Sequence, residues 1–241
     1  VSTPPLIETI GLIKHFGGMQ AIRGVDFSLA EGEIRCLIGP NGAGKSTFFK
    51  LLTGQIKPTS GSVRFRGTDL TMLQAHEIAR LGIGIKTQQP SVFNGLSVQE
   101  NLWIAAARHK KGKAIGQSVE AQVERFSLGG FVNSLAGQLA HGQRQWLELG
   151  VVLCGDPELI LLDEPAAGMT EEERVRTAAL ILEINRQHPI IVVEHDMSFI
   201  RSIAQRITVF NQGMILTEGG AEEVFSNQAV RDVYLGKRAA A

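Results

Sequence analysis

Apolar residues follow two rhythms along this chain. Leu159-Ile160-Leu161-Leu162 and Ile190-Ile191-Val192-Val193 are unbroken apolar runs. Such runs predict strands buried on both faces of a parallel sheet. Between them, Glu171 to Gln187 predicts a helix. Ile207-Thr208-Val209-Phe210 and Met214 to Thr217 flank Asn211-Gln212-Gly213, which predicts a hairpin. Nearer the N-terminus, residues 6–38 and 62–66 hold shorter β-like runs broken by glycines, such as Ser62-Val63-Arg64-Phe65-Arg66, and predict antiparallel strands. Glu33-Ile34-Arg35-Cys36-Leu37-Ile38 predicts a strand running into a glycine-rich loop, and Thr47 to Thr53 a helix ended by Gly54. Asp69 to Arg80 also reads as helical.

The texture changes between about residues 90 and 150. Ser97 to Arg108 predicts a helix in which Ser97 caps and Glu100 reaches back. Ser118 to Phe126 and Gln143 to Cys154 predict two more helices, and His109-Lys110-Lys111-Gly112-Lys113 a solvated basic turn. No internal repeat or low-complexity linker interrupts the pattern. The whole is an α/β core with an antiparallel β part and an inserted helical segment.

A chain of 241 residues suffices for one large domain or two small ones. Its 24 basic and 24 acidic residues balance, so no strongly basic face points to nucleic acid. Cys36 and Cys154 lie within apolar runs and are expected as buried hydrophobes rather than a disulfide or metal pair. No Cys/His cluster has zinc spacing. No stretch reads as a signal peptide or approaches the roughly 18 apolar residues of a membrane span. A cytosolic protein is expected, with any span supplied by another chain.

The chemistry centres on Gly39-Pro40-Asn41-Gly42-Ala43-Gly44-Lys45-Ser46-Thr47, which fits the phosphate-binding pattern G-x-x-x-x-G-K-[ST]. Glycines let backbone N–H groups approach a phosphate, and the following helix turns its positive end toward it. Lys45 can reach the outer phosphates and the Ser46 hydroxyl can ligate Mg²⁺. Leu159 to Leu162 run straight into Asp163-Glu164. One carboxylate at a strand end can hold Mg²⁺ through water, and the next can serve as general base toward the attacking water.

Leu139-Ala140-His141-Gly142-Gln143-Arg144-Gln145 then brings in a family. Here the chain resembles the ATP-binding cassette (ABC) ATPases, whose signature reads LSGGQ. Gly142 and Gln143 match, while Ala140 replaces the serine and His141 the first glycine. The resemblance covers about residues 6–236. It implies a P-loop NTPase (ABC ATPase) core with an antiparallel β subdomain and an inserted helical subdomain. Residues 5–236 would be a single domain, with 5–89 and 151–236 as nucleotide-binding core and about 90–150 as helical subdomain. It further implies that Ala140, His141, Gly142 and Gln143 close over ATP held by a second subunit. His141 reads more as a surface loop residue than as a base. Phe16 stands where an aromatic stacks on adenine, the alternative being a core phenylalanine. Gln88 stands at the Q-loop glutamine, which approaches Mg²⁺ and the attacking water; Gln89 beside it leaves the register open. Thr87 departs from the aromatic common there. Ala167-Gly168-Met169-Thr170 fits the D-loop at the dimer interface, and His195 the switch histidine that contacts the γ-phosphate.

Local texture is similar to the ATPases of branched-chain amino acid and urea-type importers: Leu12-Ile13-Lys14-His15-Phe16-Gly17-Gly18, and Val193-Glu194-His195-Asp196-Met197. Lys86-Thr87-Gln88-Gln89-Pro90-Ser91-Val92-Phe93 and His141 to Glu148 look closest to the urea-type branch. The resemblance implies ATP and Mg²⁺ as cofactors and a second ATPase subunit, identical or not. It also implies two membrane permease subunits, an extracytoplasmic solute-binding protein acting indirectly, and a peripheral place on the cytoplasmic face of the inner membrane. A coupling helix of a permease would dock near Val92, Phe93, Leu96 and Trp103, whose alternative is packing within the helical segment. A soluble ABC ATPase acting on DNA or ribosomes would need a long heptad insertion or a second cassette. A small-molecule kinase would leave the signature loop and His195 unexplained.

Overall fold

The computed structural model describes residues 4–235; residue 236, the expected end of the domain, lies outside them. The chain opens on an antiparallel hairpin, β1 (Ile7–Phe16) and β2 (Met19–Leu29), with Phe16 paired to Met19. Next come β3 (Ile34–Ile38), the glycine-rich loop and α1 (Lys45–Leu52). A second hairpin, β4 (Ser60–Phe65) and β5 (Thr68–Asp69), leads to α2 (Ala75–Arg80) and β6 (Ile83–Lys86). Then follow α3 (Val98–Ala107), α4 (Lys113–Arg125) and α5 (His141–Leu153). The remainder alternates: β7 (Leu159–Asp163), α6 (Glu171–Asn185), β8 (Ile190–Val193), α7 (Met197–Ile203), β9 (Arg206–Asn211), β10 (Met214–Gly219), α8 (Ala221–Ser226) and α9 (Gln228–Leu235).

Two sheets result. A four-stranded sheet runs β2-β1-β4-β5 and its pairs are antiparallel. A six-stranded sheet runs β10-β9-β3-β8-β7-β6, parallel except for the edge strand β10. The apolar runs behave as double-faced strands should. Ile160, Leu162, Ile190 and Val192 enter one core cluster with α3 to α7, whereas Leu159, Leu161, Ile191 and Val193 enter the other, with α1 and the antiparallel sheet. Cys36 and Cys154 are both buried and free, and burial pushes their thiols up.

Several expectations change. The run from 6 to 38 is not antiparallel throughout: β3 leaves the hairpin sheet and pairs in parallel with β8 and β9. Its residues alternate between the two clusters, which only a central strand can do. The helix expected from Asp69 begins at Ala75, because Thr68 and Asp69 fold back on β4 through a turn with Arg66 and Gly67 at positive φ. The basic turn gives up Lys113 to α4, which starts before Ser118. Strand β6 and helices α7, α8 and α9 were not foreseen. They are short, and short apolar runs carry little periodicity.

The helical segment is tied at its entry. Ser97 caps α3, accepting from Glu100 N at 3.2 Å while Glu100 Oε2 accepts from Ser97 N at 2.7 Å. One turn on, Asn101 is buried and satisfies four backbone groups: it accepts from Phe93 N and donates to the carbonyls of Phe93, Leu96 and Ser97. Asn101→Ala leaves the Phe93 N–H without its acceptor, while the carbonyls of Phe93, Leu96 and Ser97 keep the backbone donors Leu96 N, Ala136 N and Asn101 N. We expect a loss of about 1–3 kcal/mol, read as a melting temperature lower by about 2–4 °C per kcal/mol. An unchanged melting temperature would show that the loop holds without it.

Candidate functional site

The parallel strands end on one edge, and so do the residues singled out above. Ile38 of β3 runs into the glycine-rich loop, Lys86 ends β6, Asp163 ends β7 and Val193 precedes Glu194-His195. β3 sends its helix α1 to the face that carries the antiparallel sheet, whereas the neighbouring β8 sends α7 to the other face, which makes a crevice beyond their C-terminal ends, the usual ligand position in such sheets.

Within the loop, Gly39, Gly42 and Gly44 all hold positive φ. Space and φ both demand glycine at two of them. A Cβ on Gly39 would lie 2.3 Å from Phe210 O, and one on Gly44 2.9 Å from Ala21 O. Gly44 is also the N-cap of α1, so no side chain caps the helix, and no acid occupies its first turn. The first N–H groups of a helix have no partner inside it. An anion is the complement of such an end. The Lys45 ammonium donates to Gly39 O at 2.6 Å and to Pro40 O at 3.1 Å. An ammonium has three donors, so one remains for a phosphate. Burial lowers the Lys45 pKa, and the Glu164 and Asp163 charges oppose that.

The loop lines a cavity of about 510 Å³ with Asn41, Gly42, Ala43, Gly44, Lys45, Ser46, Thr47 and Glu164 on its walls. Val193 lines it too, and Met19, Gln20, Ala21 and Arg23 of β2, with Gln212 and Gly213 of the β9–β10 turn, add six more. None of these six was foreseen. Their distance in sequence hides them, although the Met19–Phe16 pairing ties β2 to the expected aromatic. Phe16 itself is 45% exposed, outside both core clusters and outside the cavity wall, with the Lys14 ammonium 5.1 Å from its ring centroid.

The acid pair divides by environment. Burial first and the Glu164 charge second push the Asp163 carboxyl up to about 6, while Lys86 acts the other way. A cation held there would favour the ionised form. Ser46, Asp163 and Gln88 offer only oxygen ligands, few in number, which suits Mg²⁺ better than a closed cage. Among the described residues no cluster of three His, Cys, Asp or Glu could hold a metal by itself. Glu164 has φ 50°, a strained position for a side chain with a Cβ, of the kind that costs ~1–3 kcal/mol. Its N–H is held by Val193 O at 2.9 Å, and His195 Nδ1 lies 3.5 Å from its Oε1. The carboxylate is 30% exposed and faces the cavity.

Glu194 organises this corner, a role the sequence does not announce. Its side chain is 1% exposed. Oε1 accepts from Ala166 N at 3.2 Å, and Oε2 from His195 N at 2.9 Å and Asp196 N at 3.4 Å. It thereby ties the segment after Glu164 to the segment carrying His195. Gln88 sits on an exposed bend just beyond β6, outside the cavity wall.

Ala140, His141, Gly142 and Gln143 are likewise absent from the cavity wall. They form the N-cap and first turn of α5, so the helix starts before Gln143. Gly142 lies against α6 and His141 against the segment before it. His141 Nε2 lies 2.8 Å from Ala167 O, in the tautomer where Nε2–H donates. A Cβ on Gly142 would come 2.2 Å from Glu173 Oε1. Deeper, Trp146 Nε1 donates to Thr177 Oγ1 at 2.9 Å. The turn that opens α5 and the segment after Glu164 are therefore joined, and His141 serves that joint.

Comparison with known proteins shows the family and the fold. The family model described as "ABC transporter" matches residues 22–167. The high-affinity branched-chain amino acid transport ATP-binding protein BraF of Pseudomonas aeruginosa is 36% identical over 251 aligned residues, covering 97% of this chain and 98% of that protein. LivG of Salmonella typhimurium, with the same description, is 37% identical over 97% of this chain and 98% of its own. Among solved structures, the ADP conformation of MJ1267, an ATP-binding cassette of an ABC transporter, superposes with a TM-score of 0.87 at 28% identity, covering 98% of this chain and 100% of that one.

Proposed function

Because the chain belongs to the ABC transporter family as an ATP-binding, ATP-hydrolysing cassette, we propose that it is the energy-coupling subunit of an importer for branched-chain amino acids. The observation that supports ATP chemistry here is one edge of the sheet carrying the glycine-rich loop, Asp163-Glu164 and His195 together. The solute rests on the names of the relatives. A second reading, a urea or short-chain amide, draws on Lys86 to Phe93 and His141 to Glu148. Other chains would choose the solute.

In this reading the loop amides and Lys45 bind the phosphates of ATP. Mg²⁺, when bound through Ser46, Asp163 and Gln88, supplies charge neutralisation of the phosphate oxygens. Glu164 takes the proton from water as its oxygen attacks the γ-phosphorus, and the bond to the bridging oxygen breaks to release ADP. His195, 3.5 Å from Glu164, is set to orient that carboxylate and to donate toward the γ-phosphate. Two chains would pair so that Gly142 and Gln143 of one face the ATP of the other. ATP then favours the closed dimer, and hydrolysis releases it. Among the described residues no helix is long and apolar enough to cross a membrane. Membrane permeases would therefore supply the path, docking near Phe93 and Trp103, which are 59% and 51% exposed.

Variants at Gly142 and Gln143 should lose hydrolysis while each chain still binds ATP. A Lys45→Ala chain mixed with a Gly142→Ala/Gln143→Ala chain should regain part of the turnover, since one composite site is intact. Signature variants that weaken ATP binding in the monomer as much as Lys45→Ala does would refute action across the dimer. The solute is tested by co-purifying the permeases, reconstituting them in vesicles and measuring ATP-driven uptake of leucine against urea. Uptake of leucine is expected; uptake of urea alone would favour the second reading.

A further inference from the structure

The mechanism above leaves one buried charge pair unused. Lys86 Nζ lies 3.4 Å from Glu148 Oε2, and the two side chains are 1% and 2% exposed. We propose that Lys86 and Glu148 are positioning residues, a pivot through which the root of the Gln88 segment steers the signature helix α5 when ATP binds.

The placement argues for it. Lys86 is the last residue of β6 and pairs in register with Leu162, the residue before Asp163. Gln88 follows two positions later on an exposed bend. Glu148 lies on α5 about two turns beyond the signature turn that opens the helix at His141. Glu148 also faces Arg144, whose Nε lies 3.9 Å from Oε1 and makes no hydrogen bond. Arg144 adjoins Gln143. A line of charge thus runs from the strand end beside the acid pair to the signature turn.

Adhesion does not require that charge. Two residues before Lys86 on the same strand face, Gly84 lets α5 settle closely: a Cβ there would lie 2.7 Å from Val152 Cγ1 and 2.9 Å from Pro157 Cβ. Val152 is four residues after Glu148, hence on the same helix face. Strand and helix touch through apolar atoms at Gly84 and through opposite charges at Lys86. A buried pair is costly to desolvate and can often be replaced by apolar residues without loss of stability. Its distinct property is direction: the ammonium and carboxylate hold one orientation of α5 against β6, and movement of the β6 end is passed to the helix. Burial raises the Glu148 pKa and lowers that of Lys86, and each charge opposes the shift of the other.

The proposal rests on the roles given above to Gln88 and the phosphate loop. Its test uses the full chain of wild type, Lys86→Met, Glu148→Leu, the double variant and Lys86→Arg. Amide hydrogen exchange of residues 141–148 is measured with and without ATP and Mg²⁺, alongside melting temperature and ATP affinity. In wild type, ATP should slow exchange across 141–148 by about twofold or more. Each apolar single variant should melt lower because it strands a buried charge, and the double variant should regain the lost stability. The double variant should still bind ATP within about twofold of the wild-type Kd, yet lose the exchange response; Lys86→Arg should keep it. A double variant that responds like wild type would reduce the pair to core filling. ATP binding to wild type without a response in α5 would overturn the pivot alone. Failure of wild type to bind ATP would overturn the phosphate-loop role and the pivot with it.

Discussion

Glu164→Gln lowers ATP turnover by about 10²–10⁴-fold, the range a positioned general base contributes. The amide keeps the shape and can still accept a hydrogen bond, but it cannot take a proton from water. The rest of the site stays in place. Lys45 remains anchored on the Gly39 and Pro40 carbonyls, and Asp163 remains at the end of β7. The backbone at Glu164, with φ 50°, is held by its N–H bond to Val193 O and is indifferent to the side-chain change. ATP should therefore still bind. ATP that is held and not consumed favours whichever state binds it best, so a closed dimer should accumulate by mass action. Phosphate release measured beside light scattering, with ATP and Mg²⁺ present, checks both parts. Wild-type turnover in this variant would move the base role away from Glu164, with His195 next in line.

Lys45→Ala removes the one ammonium that the loop carries to the phosphates. We expect turnover to fall by about 10²-fold or more, the loss typical of a single preorganised donor to transition-state charge, and ATP affinity to fall with it. That second effect separates this variant from Glu164→Gln, because Lys45 acts on bound phosphate as well as on the transition state. The fold should survive, since Lys45 is helix residue one of α1 and, among the described residues, its ammonium bonds only to loop carbonyls. Turnover kinetics, ATP titration and a melting curve on one preparation decide the matter. Unchanged hydrolysis by a folded protein would sink the role given to this loop.

Much of this is legible in the amino-acid sequence. The runs Leu159 to Leu162 and Ile190 to Val193 became central parallel strands, because a segment apolar at every position can only be satisfied between two packed faces. Ser97 and Glu100 formed the expected capping box. Where the reading slipped, a long-range contact had overruled a local preference. Asp69 lies in a helix-like stretch but pairs with Arg64, and Ile34 to Ile38 sits after antiparallel strands yet joins the parallel sheet. Phe16 is exposed and in neither core cluster, which sets aside the alternative of a core phenylalanine and leaves the expected stacking role open to test.

The chain's own order of residues determined the chemical inventory: a glycine loop with one lysine, an acid pair after an apolar strand, a histidine after another. Those are local facts, since glycine at positive φ and a carboxylate at a strand end follow from neighbours in sequence. Only the tertiary structure decided which of them meet. Glu164 reaches His195 because β7 and β8 are adjacent and in parallel register, Asp163 opposite Val193. Glu194 acquires the Ala166 N–H, 28 residues away, and Lys86 its carboxylate on α5, in the same way. Burial leaves such groups no water to fall back on, so each takes the partner that strand order and helix packing bring within reach, at separations no sequence window spans.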